Sequence, residues 1–146
     1  MRTMWDENAR LEILRRSESV AESTRPLWGR MSAAGMLAHL SQSLKMAVGE
    51  LPTKSKRLPL RYSPLKQLII YVVPFPKGAP TAPELLAASD QSIATSRQEI
   101  GRLISVFAAN AGRPWPEHPA FGKLSERAWG VLVYKHMDHH LRQFGA

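Results

Sequence analysis

The run His136-Met-Asp-His139-His140-Leu-Arg-Gln143 concentrates three of the chain's five histidines near its C-terminus. On a helix, side chains four positions apart lie one above the other, and two imidazoles so placed can share one metal ion. At about 100° per residue, Trp129, Leu132, Val133, His136, His140 and Phe144 fall within an arc on the order of 120°. Lys135, Asp138 and Arg142 fall on the opposite side and are expected in water. His139 lies at the edge of the apolar stripe, and Gln143 lies close to its inner face. A third ligand would have to come from another element. His39, in Met36-Leu-Ala-His39-Leu, sits on the flank of an apolar helical face and is the natural candidate. Three histidines leave a coordination position open for water or substrate, as catalytic sites do. The competing reading is two packed, hydrogen-bonded core histidines, since a buried imidazole needs partners for its nitrogens in either case.

Other residues could serve the same pocket. His118, in the loop before the last helix, could act as a base behind a metal, against the simpler reading of a surface histidine. Gln143 could hydrogen-bond a metal-bound water or merely end a helix. Trp129 reads as core packing that could line the pocket. Lys77 reads as a solvated turn residue. No Ser-His-Asp arrangement, phosphate-cradling glycine loop or dinucleotide fingerprint is present.

Four helical segments must position these groups, and no alternating strand pattern competes with them. The first runs from about Asp6 to Val20, with Leu11, Ile13, Leu14 and Val20 as its apolar side. The second is bounded by Ser32 as N-cap and Gly49 as stop, with Met36, Leu37, Leu40, Leu44, Ala47 and Val48 inward. The third is expected over Glu84–Asn110, with Pro83 in its first turn and an inner face running from Leu85 and Leu86 to Phe107. The fourth opens at Ser125 and closes at Phe144-Gly145. Residues 50–82, with six prolines, form a long crossover containing one short apolar piece, Pro64 to Val73, readable as helix or strand. Residues 112–124 read as an ordered loop. Four amphipathic helices with a long crossover describe an all-α bundle, and 146 residues make one domain spanning 1–146.

Composition narrows the chemistry. Without cysteine there is no disulfide, thiol nucleophile or thiolate metal site. No secretory leader pattern opens the chain, and the longest apolar run, Leu68 to Val73, is too short to span a bilayer. A cytoplasmic protein with no membrane partner is the expectation. The formal charge of +8 raises the question of nucleic acid. Most cations stand beside acids, however. The acid-free exception is Lys54, Lys56, Arg57, Arg61 and Lys66, where only Tyr62 is available for stacking, so a solvated connection is the simpler reading.

His136-x-x-His139-His140-x-x-Gln143 together with Met36-Leu-Ala-His39-Leu resembles the DinB-like superfamily, which includes the YfiT-type proteins. Trp28-Gly-Arg-Met-Ser-Ala33, Pro74-Phe-Pro-Lys-Gly78 with Pro80-Thr-Ala-Pro83, His118-Pro-Ala-Phe-Gly122 and His139-His-Leu-Arg-Gln-Phe-Gly145 resemble one branch of it. The resemblance implies a DinB-like four-helix bundle, often a homodimer. It also implies a divalent metal ion, usually nickel or zinc, on His39, His136 and His140. His139 and Gln143 match the motif without being implied ligands. The superfamily contains metal-dependent hydrolases and transferases that use low-molecular-weight bacterial thiols, so a small-molecule substrate is expected. The alternatives are a non-catalytic metal-binding or dimerising module and, further off, a nucleic-acid binder using residues 54–66.

Overall fold

In the computed structural model, residues 1–78 and 91–146 are described, and they are all-helical. Helix α1 spans Glu7–Ser19, α2 Ala33–Val48, α3 Leu65–Gln67, α4 Ile93–Ala109 and α5 Glu126–Gln143. A 3-10 turn, Pro59–Arg61, precedes α3, and a π-helical turn, Leu68–Val72, follows it directly. The apolar piece at 64–73 is therefore helical. No strand occurs among the described residues; an isolated bridge pairs His118 with Gly122 in the 112–124 loop.

The helix ends follow from their capping chemistry. The side chains of Asp6, Ser32 and Ser125 accept hydrogen bonds from the backbone N–H groups of Asn8, Gly35 and Ala128. Gly49, at φ 84°, closes α2 by donating to the carbonyls of Lys45 and Met46. The third long helix departs from its expected start. Gln91 and Ser92 are not helical, and Ser92 caps α4 by accepting from Thr95 N, so the helix begins at Ile93 rather than near Glu84. Leu85, Leu86 and the rest of 79–90 lie outside the described residues.

α2 packs most extensively against α4, while α1 lies against α4 and α5, and α2 also meets α5. Ile13, Met36, Leu37, Leu40, Leu44, Ile100, Leu103, Phe107, Trp129 and Met137 fill the space between them. Leu11 does not join them. It is 56% exposed, because Ala9, Ile13, Arg16 and Ser17 are the residues that α1 turns inward. An aromatic chain closes one end: Trp5 stacks on Phe107 at 4.7 Å, Trp115 packs on both, and Trp129 follows. The N-terminal residues reach this end by close approach to Gly130, where Met4 N donates to Gly130 O at 3.0 Å. A Cβ at Gly130 would overlap Trp5 and Thr3.

A second, smaller core docks the crossover on α5, with Ile70 meeting Phe121, Ala128, Val131 and Leu132. This docking corrects the expectation for Lys135. Its ammonium is turned toward the crossover and donates to the carbonyls of Ile69, Ile70 and Val73, the C-terminal end of the π-helical turn. Unpaired carbonyls at a helix end attract a cation. Asp138 is likewise not left to water: Arg16, itself buried in α1, donates to it at 2.7 Å. Only Arg142 keeps the outward position expected of all three, with its side chain 72% exposed.

Candidate metal centre

α2 carries His39 and α5 carries His136 and His140, so the packing of these two helices decides whether the rings meet. They do. The ring centroids of His39, His136 and His140 form a nearly equilateral triangle with sides of 5.0, 4.7 and 4.8 Å, and each pair is steeply inclined. The Nε2 atoms of His39 and His136 stand 3.0 Å apart. One nitrogen from each of the three rings lies within 4.8 Å of the other two. Nitrogens bound about 2 Å from a common ion are separated by roughly 3–3.5 Å. The cluster is thus at ligand spacing for one pair and close to it for the third ring. The three histidines could hold a metal ion.

The protonation states suit that role. Burial holds His136 well below the usual histidine range, and the neighbouring imidazoles of His39 and His140 push the same way. His140 is also lowered, mainly by burial, against the opposing effect of its hydrogen bond to Gln143. Neutral imidazoles offer the lone pairs that a cation needs.

Gln143 supports this arrangement more directly than its place at a helix end suggested. It is 6% exposed. Its Oε1 lies 3.0 Å from His140 Nδ1, while its Nε2 donates to Trp28 O at 2.8 Å. With the amide so oriented, Oε1 can only accept, so the His140 proton sits on Nδ1 and Nε2 carries the free lone pair. Trp28 O comes within reach because Leu27 N donates to Gln143 O and because Gly29 turns at φ 78°. A Cβ at Gly29 would stand 2.9 Å from Gln143 Nε2.

Around the cluster lies an aromatic rim. Trp28 and Phe75 both pack edge-on to His139, at 5.7 and 6.1 Å, and Phe75 also faces His136 at 6.3 Å. Lys77 Nζ rests 4.5 Å from the Trp28 ring centroid. His139 is thus a partly buried rim residue, and burial lowers its pKa. Nothing in residue spacing pointed to Phe75 or Trp28, which reach the site from loops.

His118 is not the surface histidine of the simpler reading. Its ring packs on Phe121 and Trp129, at 5.0 and 5.5 Å. Its Nδ1 accepts from both Ala120 N and Phe121 N, so the ring proton sits on Nε2. Burial lowers its pKa to about 4. A ring locked in this tautomer donates through Nε2 and does not serve as a base at neutral pH. Trp129, 1% exposed, is a core residue beneath it.

A family model described as a protein of unknown function (DUF1569) matches residues 6–146. The chain belongs to that family. No curated protein and no solved structure matches this DUF1569 chain.

Proposed function

We propose that this DUF1569 protein is a divalent-metal-dependent enzyme of the DinB-like superfamily, built as a four-helix bundle, that transfers groups to or from a low-molecular-weight thiol. The observation that carries the reading is the convergence of His39, His136 and His140 from two helices on one point. A nickel or zinc ion held there supplies Lewis acidity and an open position for a substrate sulfur or oxygen. His136 and His140 contribute neutral nitrogens at neutral pH, and Gln143 keeps His140 in the ligating tautomer. Trp28 and Phe75 shield the mouth, and Lys77 supplies a cation there for an anionic part of the substrate.

Thiol transfer is preferred over hydrolysis because hydrolysis needs a base, and the basic Nδ1 of His118 is already occupied, accepting from Ala120 N and Phe121 N. One observation keeps hydrolysis as the second reading. His139 borders the cluster, lies outside the ligand set, and is neutral at neutral pH.

Elemental analysis of the purified protein after reconstitution with Ni²⁺ or Zn²⁺, with His136→Ala alongside, tests the centre. One ion per chain, lost in the variant, is the expected result. Failure to take up metal after reconstitution would leave a helical module without this chemistry. Assay of the loaded protein with bacterial thiols plus electrophiles, and separately with simple esters and amides, distinguishes the two reactions. Turnover of esters without thiol, abolished in His139→Gln, would select hydrolysis.

A further inference from the structure

Residues 54–73 of the crossover, unlike Phe75 and Lys77 farther along it, have no part in the metal centre, yet their exposed side has an unusual composition. From Leu51 to Pro83 the sequence contains no acidic residue. Within it, Leu58, Tyr62, Leu65, Leu68, Val72 and Val73 are exposed, with Tyr62 at 72% and Val72 at 71%. The spacing of 65, 68 and 72 places them along one side of the α3 and π-helical segment. The opposite side is also apolar, since Ile69 and Ile70 pack on the α5 core. A helical segment that is apolar on both sides is ordinarily covered on both.

The cations beside this face narrow what covers it. Arg61 is occupied by Ser55, the Pro119 carbonyl and Glu117, and Lys66 donates to the Lys123 carbonyl. Lys54, Lys56 and Arg57 are exposed and make no ion pair among the described residues. Arg57, Leu58 and Tyr62 border one concavity of about 660 Å³, so charge and apolar surface adjoin there. A second copy of the chain meeting this face across a two-fold axis would bring the two sets of cations together. Nucleic acid would use the cations and Tyr62 but would leave five aliphatic side chains in water. An anionic bilayer satisfies both features, with headgroups meeting the cations and the acyl boundary taking Leu, Val and Tyr side chains.

We propose that residues 54–73 form a peripheral docking surface for an anionic phospholipid membrane. This does not depend on the metal centre. It departs from the expectation of no membrane partner, which rested on the lack of a spanning segment. No helix among the described residues is long and apolar enough to cross a bilayer, and surface docking needs none.

Co-sedimentation of the full chain with phosphatidylcholine vesicles, with and without 30% phosphatidylglycerol (about one lipid in three, enough for a negative surface potential), tests the proposal. Binding is expected only to the anionic vesicles and is expected to fall away at high salt. Replacing Lys54, Lys56 and Arg57 together by Gln should weaken it about a hundredfold. Val72→Asp, at a site too exposed to disturb the core, should weaken it with every cationic side chain of the loop still in place. Circular dichroism and melting of both variants confirm that they remain folded. Lack of binding to anionic vesicles overturns the proposal. So does equal binding to neutral vesicles, or binding that Val72→Asp leaves unchanged. A concentration-dependent dimer dissolved by Val72→Asp would assign the face to a second copy instead. Salt-sensitive binding to single-stranded DNA but not to vesicles would assign it to nucleic acid.

Discussion

Acidification should destabilise this protein through His118 before its carboxylates dominate. The ring takes up a proton near pH 6.5 in the unfolded chain and only near pH 4 in the folded one, because burial against Phe121 and Trp129 disfavours its charge. Between these values the unfolded state binds more protons, so stability rises with pH. The contribution is fully present above about pH 6.5 and is lost as pH falls toward 4. Two and a half pH units at about 1.4 kcal/mol each give roughly 3.5 kcal/mol in full, of which about 3 kcal/mol is gone by pH 4, where the folded ring is half protonated; that is a large part of a typical stability of about 5–15 kcal/mol. The control is His118→Asn, whose Oδ1 can still accept from Ala120 N and Phe121 N but does not titrate. Urea unfolding of both proteins, metal-free, at several pH values from 7.5 to about 4 measures the difference. The wild type should lose about 3 kcal/mol relative to the variant across that range, whatever constant offset the lost ring packing introduces. Parallel stability curves for the two proteins would refute the assignment of His118 as a buried neutral ring. An NMR titration of the His118 ring moving with a midpoint near 6.5 would refute it as well.

Three further outcomes test the site and its frame. Gln143→Leu leaves His140 Nδ1 and the Trp28 carbonyl without their partner, so stability should fall by about 1–3 kcal/mol. Metal affinity, read by competition with a chelator, should fall about 10–100-fold; unchanged affinity would show that the amide does not orient the ligand. A saturating ion at about 100 times its dissociation constant should raise stability by about 2.7 kcal/mol. Chelator should reverse the resulting shift in melting temperature, and His136→Ala should lack it. Gly130→Ala forces apart α5 and the Trp5 segment and should cost about 1–3 kcal/mol, measured by thermal unfolding. A neutral result there would mean that residues 3–5 do not hold this position in solution.

Local chemistry made the helices legible. Ser32 and Ser125 cap, Gly49 stops, and apolar residues recur at helical spacing, all interactions within a few residues of one another. The same locality made the pairing of His136 with His140 readable, since an α-helix imposes it. The start of α4 was missed because Pro83 offered a competing N-terminal signal upstream of Ser92, the residue that caps it.

What lay beyond reading was every role set by a partner distant in sequence. A helical wheel has a single polar side, but α5 has neighbours on nearly all sides. Asp138 is claimed by Arg16, and Lys135 by carbonyls of the π-helical turn. His118 leaves the surface because Trp129 and Phe121 offer it an apolar bed. Gln143 becomes a brace only when the turn at Gly29 presents the Trp28 carbonyl to it. The residue pattern by itself determined which side chains share a helix face, because backbone geometry repeats within a few residues. Only the tertiary structure decided that His39 meets His136 at 3.0 Å, because that distance depends on how α2 and α5 pack across the core.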